Sequence, residues 1–263
     1  MKLNPETPKV LYKYRNWCNE HHRKILFDFE IFLSSASKFN DPYEGNIPFE
    51  YDPTELTREN IFLKLYSIAK HDHPDLEESQ IHSIVYDAQQ KDLINDPSHI
   101  EKVRDEVKSR IENEFGILSL TKNPNNFLMW SHYANSHKGF CVGFNSQILF
   151  DTIECAIGPV TYSNKIPKFG LFEPIDVFTV KLLGTKGTFW KYEEEYRIIK
   201  QFAANQALQI PAEGIEEIIL GCNMNQEERW EIIDLVKKDL PLCRIFELKP
   251  SFDYFELIQT RVY

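Results

Sequence analysis

Beyond Gly116 the chain breaks into short runs of branched and aromatic residues: GILSLT, FCVGF, GPVTYS, KGTFWKYEEEYRIIK, EEIILGCN, CRIFELKP and YFELIQTRVY. Runs of this length, bounded by Gly, Pro and Asn, read as strands. One helical pattern interrupts them, NQEERWEIIDLVKKDL, with Asn225 as its N-cap. Near the start, KVLYKYR reads as a strand from Lys9 to Arg15, followed by a helix capped by Asn16 and a short strand, EIFLSS. Between them, from Thr54 to Glu114, apolar residues recur at helical spacing; Asp75 marks a helix start and Gly116 a helix stop. These patterns predict one mixed α+β domain over residues 1–263, with a largely antiparallel sheet core and a helical insert over about 54–115.

Composition narrows the function classes. With 27% charged residues the chain is globular rather than disordered, and a net charge of −10 argues against a surface that coats nucleic acid. No apolar run approaches the roughly 18 to 20 residues needed to span a bilayer. MKLNPETPKV lacks a secretory apolar core, so a cytoplasmic location is expected. The five cysteines are scattered and form no CxxC pair, which predicts reduced core thiols.

FWKYEEEYRIIK places three consecutive glutamates inside an expected strand, where glutamate is disfavoured. Strand alternation would put Phe189, Lys191, Glu193, Glu195 and Arg197 on one face and Trp190, Tyr192, Glu194, Tyr196 and Ile198 on the other. Two carboxylates about 7 Å apart along such a strand could divide the work, one holding a hydroxyl and the other activating a nucleophile. The alternative is a solvated network of charges with Arg197 neutralising a glutamate.

Three further segments carry chemistry. In MWSHYANSHKGFCVGF, a helix would align Trp130, Tyr133 and His137 as a wall for a flat heterocycle; core packing of the aromatics, with His137 capping the helix end, is the alternative. In KFNDPYEG, Asn40 and Asp41 either close their own turn or contact a ribose or phosphate. On the first strand, Lys13 and Arg15 could meet a diphosphate or stay solvated. His132 and His137 are five apart, not a metal pair, and no metal site is expected. Phosphate-loop, dinucleotide and nucleophile-elbow motifs are absent from the sequence.

LYKYR, SSASKFNDPYEG, LMWSHYANSHKGFCVGF and FWKYEEEYRIIK, in that order, resemble the bacterial family of unknown function DUF2971. The chain also resembles, more distantly, the NAD-dependent ADP-ribosyltransferases of the DarT-like kind. That likeness implies a split-sheet transferase fold and an enzyme that uses NAD as substrate, a toxin or antiphage effector. It would transfer ADP-ribose to a protein, DNA or RNA acceptor and be matched by an antitoxin or other defence-system partner. By the same likeness Glu195 would hold the nicotinamide ribose and Glu193 would orient or deprotonate the acceptor. Ser119 and Tyr133 would take the second-motif serine and the stacking tyrosine. Lys13 stands where that family carries histidine, and Arg15 would take over its contact. A nucleotide-sensing module without turnover, and a metal-dependent nuclease using Glu193, Glu195 and Asp41, are the two rival expectations.

Overall fold

A computed structural model describes residues 2–48 and 50–263. The elements run β1 (Val10–Arg15), α1 (Glu20–Phe27), β2 (Glu30–Leu33), α2 (Arg58–Asp72), α3 (Glu78–Gln90), α4 (Pro97–Glu114), β3 (Phe115–Thr121), α5 (Phe127–Tyr133), β4 (Phe140–Asn145), α6 (Ser146–Ile153), β5 (Ala156–Pro159), β6 (Thr161–Ser163), α7 (Ile175–Leu183), β7 (Thr185–Gly187), β8 (Glu195–Gln201), β9 (Gln206–Gln209), β10 (Ile215–Leu220), α8 (Gln226–Asp239), β11 (Arg244–Pro250) and β12 (Leu257–Arg261). The fold is mixed α+β. Eight strands form one sheet in the order β12-β11-β10-β4-β1-β3-β8-β5, and β2–β9 and β6–β7 form two small ones.

Pairing within the large sheet is antiparallel except between β10 and β11. Parallel strands need a long crossover, and α8 supplies it. Asn225 caps α8 as expected, its side chain accepting from the Glu228 amide. The sheet is nearly divided at its centre. β1 and β4 pair over six positions and β3 and β8 over seven, whereas β1 and β3 share a single pair, Tyr12 with Thr121. Where β1 and β3 part, backbone groups lose ladder partners and need others. Lys13 Nζ meets one of them, donating to the Ser119 carbonyl at 2.5 Å.

Layers of helix cover both faces. Leu11, Leu118, Val142, Ile198 and Ile218 pack under α1, α6 and α8, through Ile25, Leu26, Leu149, Ile232 and Val236. The other face buries Tyr14, Trp130, Cys141 and Ile219 in one cluster and Ile111, Ile117, Leu182 and Leu183 in another. Alternation along β4 explains this, because Val142 and Cys141 point to opposite layers. A separate cluster of Leu65, Ala69, Ile81, Val85 and Leu171 joins α2 to α3.

Several local expectations need correction. Asn19, not Asn16, caps α1; Asn16 instead accepts from the Cys18 amide. Glu77, not Asp75, starts α3, through a capping box with Gln80. α4 ends at Glu114, beside Gly116 as expected, but Gly116 itself lies within β3, where an added Cβ would sit 2.2 Å from the Ala203 carbonyl oxygen and 2.8 Å from Leu33 Cβ. Close approach of chains, not helix termination, requires the glycine. The helices α6 and α7 and the strand β9 were not expected. All five cysteines are free thiols, and Cys141, Cys155 and Cys243 are buried.

Candidate functional site

The parting of β1 from β3 opens a cavity of about 230 Å³. Its walls include Lys13 and Arg15 from β1, His22 from α1, Ser119 from β3, Met129 and Tyr133 from α5, and Lys186 from β7. Phe39 and Asn40 enter from the Asn-Asp-Pro turn, and Glu193 and Glu195 also line it, with Tyr12, Tyr14 and Leu120. Seven residues singled out by the sequence therefore meet here: Lys13, Arg15, Asn40, Ser119, Tyr133, Glu193 and Glu195.

The two glutamates converge by a different route from the expected one. Thr188–Glu193 is a 3-10 helix, Glu194 is left-handed at φ 44°, and β8 begins only at Glu195. Phe189 is thus exposed and shares no strand face with the glutamates. The kink turns Glu194 outward to Lys122 at 2.9 Å and to Asn123 at 3.0 Å. Its neighbours turn inward, and Glu193 and Glu195 are each only 4% exposed.

Lys186 lies between the buried pair. Its Nζ is 2.7 Å from Glu193 Oε2 and 2.9 Å from Glu195 Oε2, and it sits 5.0 Å from the centre of the Trp190 ring. Arg197 lies below the cavity rather than in its wall, correcting its place among the ligand-contacting residues. Its Nε donates to Glu195 Oε1 at 2.8 Å, and its Nη1 contacts Glu44 and the Leu183 carbonyl. Tyr133 Oη donates to Glu193 Oε1 at 2.6 Å, and the Glu195 amide donates to Tyr162 Oη at 2.8 Å. Three carboxylates, from Glu44, Glu193 and Glu195, thus share two buried cations.

Opposing forces set the charges. Burial alone would raise the Glu195 carboxyl, but the charges of Arg197 and Lys186 hold it down at about 2. For Glu44 burial wins over the same two cations and its carboxyl is raised. Burial works against the Lys186 ammonium, yet Glu195, Glu193 and Glu44 raise its affinity for the proton. Across the cavity, burial and then Arg15 bring Lys13 down to about 7, against the pull of Glu195 and Glu193. Burial, with Arg15 and Lys13, lowers His22 to about 4.

Three expected site residues lie elsewhere. Trp130 is fully buried, edge-on to Tyr14 at 5.1 Å, with Nε1 donating to the Pro124 carbonyl at 2.8 Å. α5 ends at Tyr133, so His137 is not on it. The chain passes through left-handed Asn135, Ser136 and His137, and the His137 ring rests on Phe127 at 4.6 Å. Asp41 closes its own turn by accepting from the Tyr43 amide at 3.0 Å. The nuclease alternative needed Asp41 beside the two glutamates, which instead clasp a lysine. Among the described residues no three His, Cys, Asp or Glu side chains are grouped to hold a metal ion.

Lys186, Glu44, His22, Phe39 and Met129 were missed. Glu44 was within reach, because it falls in the Asn-Asp-Pro-Tyr-Glu-Gly segment already singled out. Gly45, at φ 62°, lets that turn pass, since a Cβ there would lie 2.6 Å from Ala36 Cβ. Nothing in the Thr-Lys-Gly context of Lys186 marks it as a buried cation.

Residues 129–198 match the family model described as a protein of unknown function, DUF2971. The expected DUF2971 likeness holds there. The matched segment runs from Met129 in α5 to Ile198 in β8, so it contains Tyr133, Lys186, Glu193, Glu195 and Arg197 but not the β1 wall. No curated protein and no solved structure matches the chain. Among the described residues no helix is long and apolar enough to cross a membrane.

Proposed function

We propose that the cavity binds NAD and that the chain is an ADP-ribosyltransferase-like enzyme, with its nearly divided sheet read as a transferase-type core. The observation that carries the reading is the convergence of Glu193 and Glu195 with Lys13 and Arg15 on one cavity, from segments far apart in the sequence. Phe39, Met129 and Tyr133 supply apolar and aromatic surface for the nicotinamide. Lys13 and Arg15 face the diphosphate.

In the transfer step the bond between ribose C1′ and the nicotinamide nitrogen breaks, and its electron pair leaves with neutral nicotinamide. Positive charge develops on the ribose, as in glycoside cleavage. Carboxylates fixed before the reaction stabilise that charge without reorganising. Glu195, kept ionised by Arg197 and Lys186, supplies the fixed negative charge. Glu193 takes the proton of the attacking acceptor as its oxygen bonds to C1′.

A second reading is binding without turnover. It is favoured by the saturation of the carboxylates: Glu195 accepts from Arg197 and Lys186, and Glu193 from Tyr133 and Lys186. Nicotinamide release from labelled NAD, with protein, DNA and RNA acceptors offered, separates the two. Release that Glu193→Gln abolishes supports the enzyme. NAD-dependent thermal stabilisation with no release supports the binding module, and neither effect ends both.

A further inference from the structure

The buried or part-buried guanidinium groups of Arg197 and Arg229 are matched to carboxylates. Arg197 meets Glu195 and Glu44, and Arg229 meets Glu247 at 2.5 Å. Arg15 breaks the pattern. It lines the cavity, half-buried, and its side chain has no hydrogen bond or ion pair among the described residues. Lys13, beside it on β1, bonds only the neutral Ser119 carbonyl. Charges withdrawn from water are costly unless paired. In a chain of net charge −10, an unpaired guanidinium beside a lysine amine bonded to a neutral carbonyl, both on one wall, is better accounted for by a ligand's anion than by chance.

His22 supplies a third donor. The Asn16 amide donates to its Nδ1 at 3.0 Å. A neutral imidazole that accepts at Nδ1 carries its proton on Nε2. The ring is a wall of the same cavity and lies close enough to feel both Arg15 and Lys13. A guanidinium, an ammonium and a ring N–H suit the several oxygens of a tetrahedral dianion better than the two of a carboxylate.

We propose that His22 is the third donor of an anion subsite with Arg15 and Lys13, and that a phosphate group of the ligand is bound there together with a proton taken up by Lys13. The proposal rests on the reading of this cavity as the ligand site, and it names the group recognised and the coupling. The groups facing Lys13 are Arg15 on β1, His22 on α1, Lys186 on β7, and Glu193 and Glu195 across the cavity. Without ligand, burial and then Arg15 and Lys186 drive the Lys13 proton off near neutral pH. A dianion reverses that balance, so a proton passes from solvent to Lys13 Nζ as the anion enters.

Inorganic sulfate is the probe, because its charge does not change between pH 6 and pH 9 and any pH dependence belongs to the protein. Titration calorimetry at pH 7.5, in two buffers of different ionisation enthalpy, should show net proton uptake. Affinity should fall above neutrality by up to about tenfold for each pH unit. Lys13→Met should remove the pH dependence. His22→Ala should weaken binding roughly tenfold, and His22→Gln should restore part of it through its amide N–H. In the wild-type protein, the NMR titration midpoint of ¹³C-methylated Lys13 should rise on saturation with sulfate. Sulfate affinity independent of pH in the wild-type protein, an unmoved Lys13 midpoint, or His22→Ala binding as well as wild type would overturn the proposal. Nicotinamide release is scored separately. Sulfate binding without release refutes only the transferase reading, and release without proton-coupled sulfate binding refutes only this subsite.

Discussion

Replacing Glu195 by glutamine keeps the side chain's shape and removes one charge from a site where Arg197 and Lys186 both depend on it. The carboxyl stands at about 2 when folded, against an ordinary 4.5. That depression corresponds to about 3 kcal/mol of folding stability. Above pH 4.5 the group is ionised in both states and the whole contribution is present. As pH falls from 4.5 toward 2, the unfolded chain takes up the proton first and the contribution drains away, to about two-fifths of its full size by pH 3. Urea denaturation of wild type and Glu195→Gln should therefore differ by about 3 kcal/mol at pH 7 and by about two-fifths of that at pH 3. The adjacent Glu194→Gln is the internal control. Its partner Lys122 is half-exposed, and such pairs contribute less than about 1 kcal/mol. A Glu195→Gln loss no larger than that of Glu194→Gln, or a gap of equal size at both pH values, would refute the reading of Glu195 as a charge held by two buried cations.

Other perturbations test separate parts of the structure. Lys186→Met keeps the volume but leaves Glu193 and Glu195 without the cation between them, and should cost about 3–5 kcal/mol at neutral pH by denaturant unfolding. Gly116→Ala drives a Cβ into the Ala203 carbonyl, so about 1–3 kcal/mol should be lost, visible as a lower melting temperature with the fold's circular dichroism retained. In the unliganded protein, ¹³C-methylated Lys13 should titrate near pH 7, whereas an exposed lysine titrates near 10.4; a midpoint above 9 would mean that the ammonium is solvated.

What could be read from the sequence was local. Strand runs such as FCVGF and EEIIL declared themselves because each needs only its own residues to alternate or to fill a buried layer. Asn225 was legible for the same reason, since its partner is three residues away. The start of α3 was misplaced by two residues because Asp75 and Glu77 are both acidic and only the bond to Gln80 selects between them. The site was half legible. Residue types suited to anions and to ribose marked Lys13, Arg15, Glu193 and Glu195, and the fold brings all four to one cavity. The route was hidden: a left-handed residue at Glu194, not strand pleating, turns its two neighbours inward.

That kink also explains why three glutamates stand in a row. On a regular strand Glu194 would face away from Glu193 and Glu195 into the core, with no cation there to meet it. The 3-10 turn before it and the left-handed angle at it send Glu194 to the surface, where Lys122 and Asn123 receive it. The inner pair is then held by cations remote in pattern rather than in sequence. Lys186 is seven residues before Glu193, but it reaches the carboxylates because β7 is fixed beside β6 by parallel pairing. Glu44 arrives from a turn near the N-terminus that Gly45 allows to pass. Glu193 and Glu195 put negative charge on one side of the cavity, while the β1 wall has positive charge to spare in Arg15. A cavity polarised in this way favours a ligand that is anionic at one end and cationic at the other, with the positive charge passing from ring nitrogen to ribose as it reacts. NAD losing nicotinamide, the reaction proposed above, would meet that description only if the carboxylates keep their charge, which is what the Glu195→Gln stability measurement reads directly.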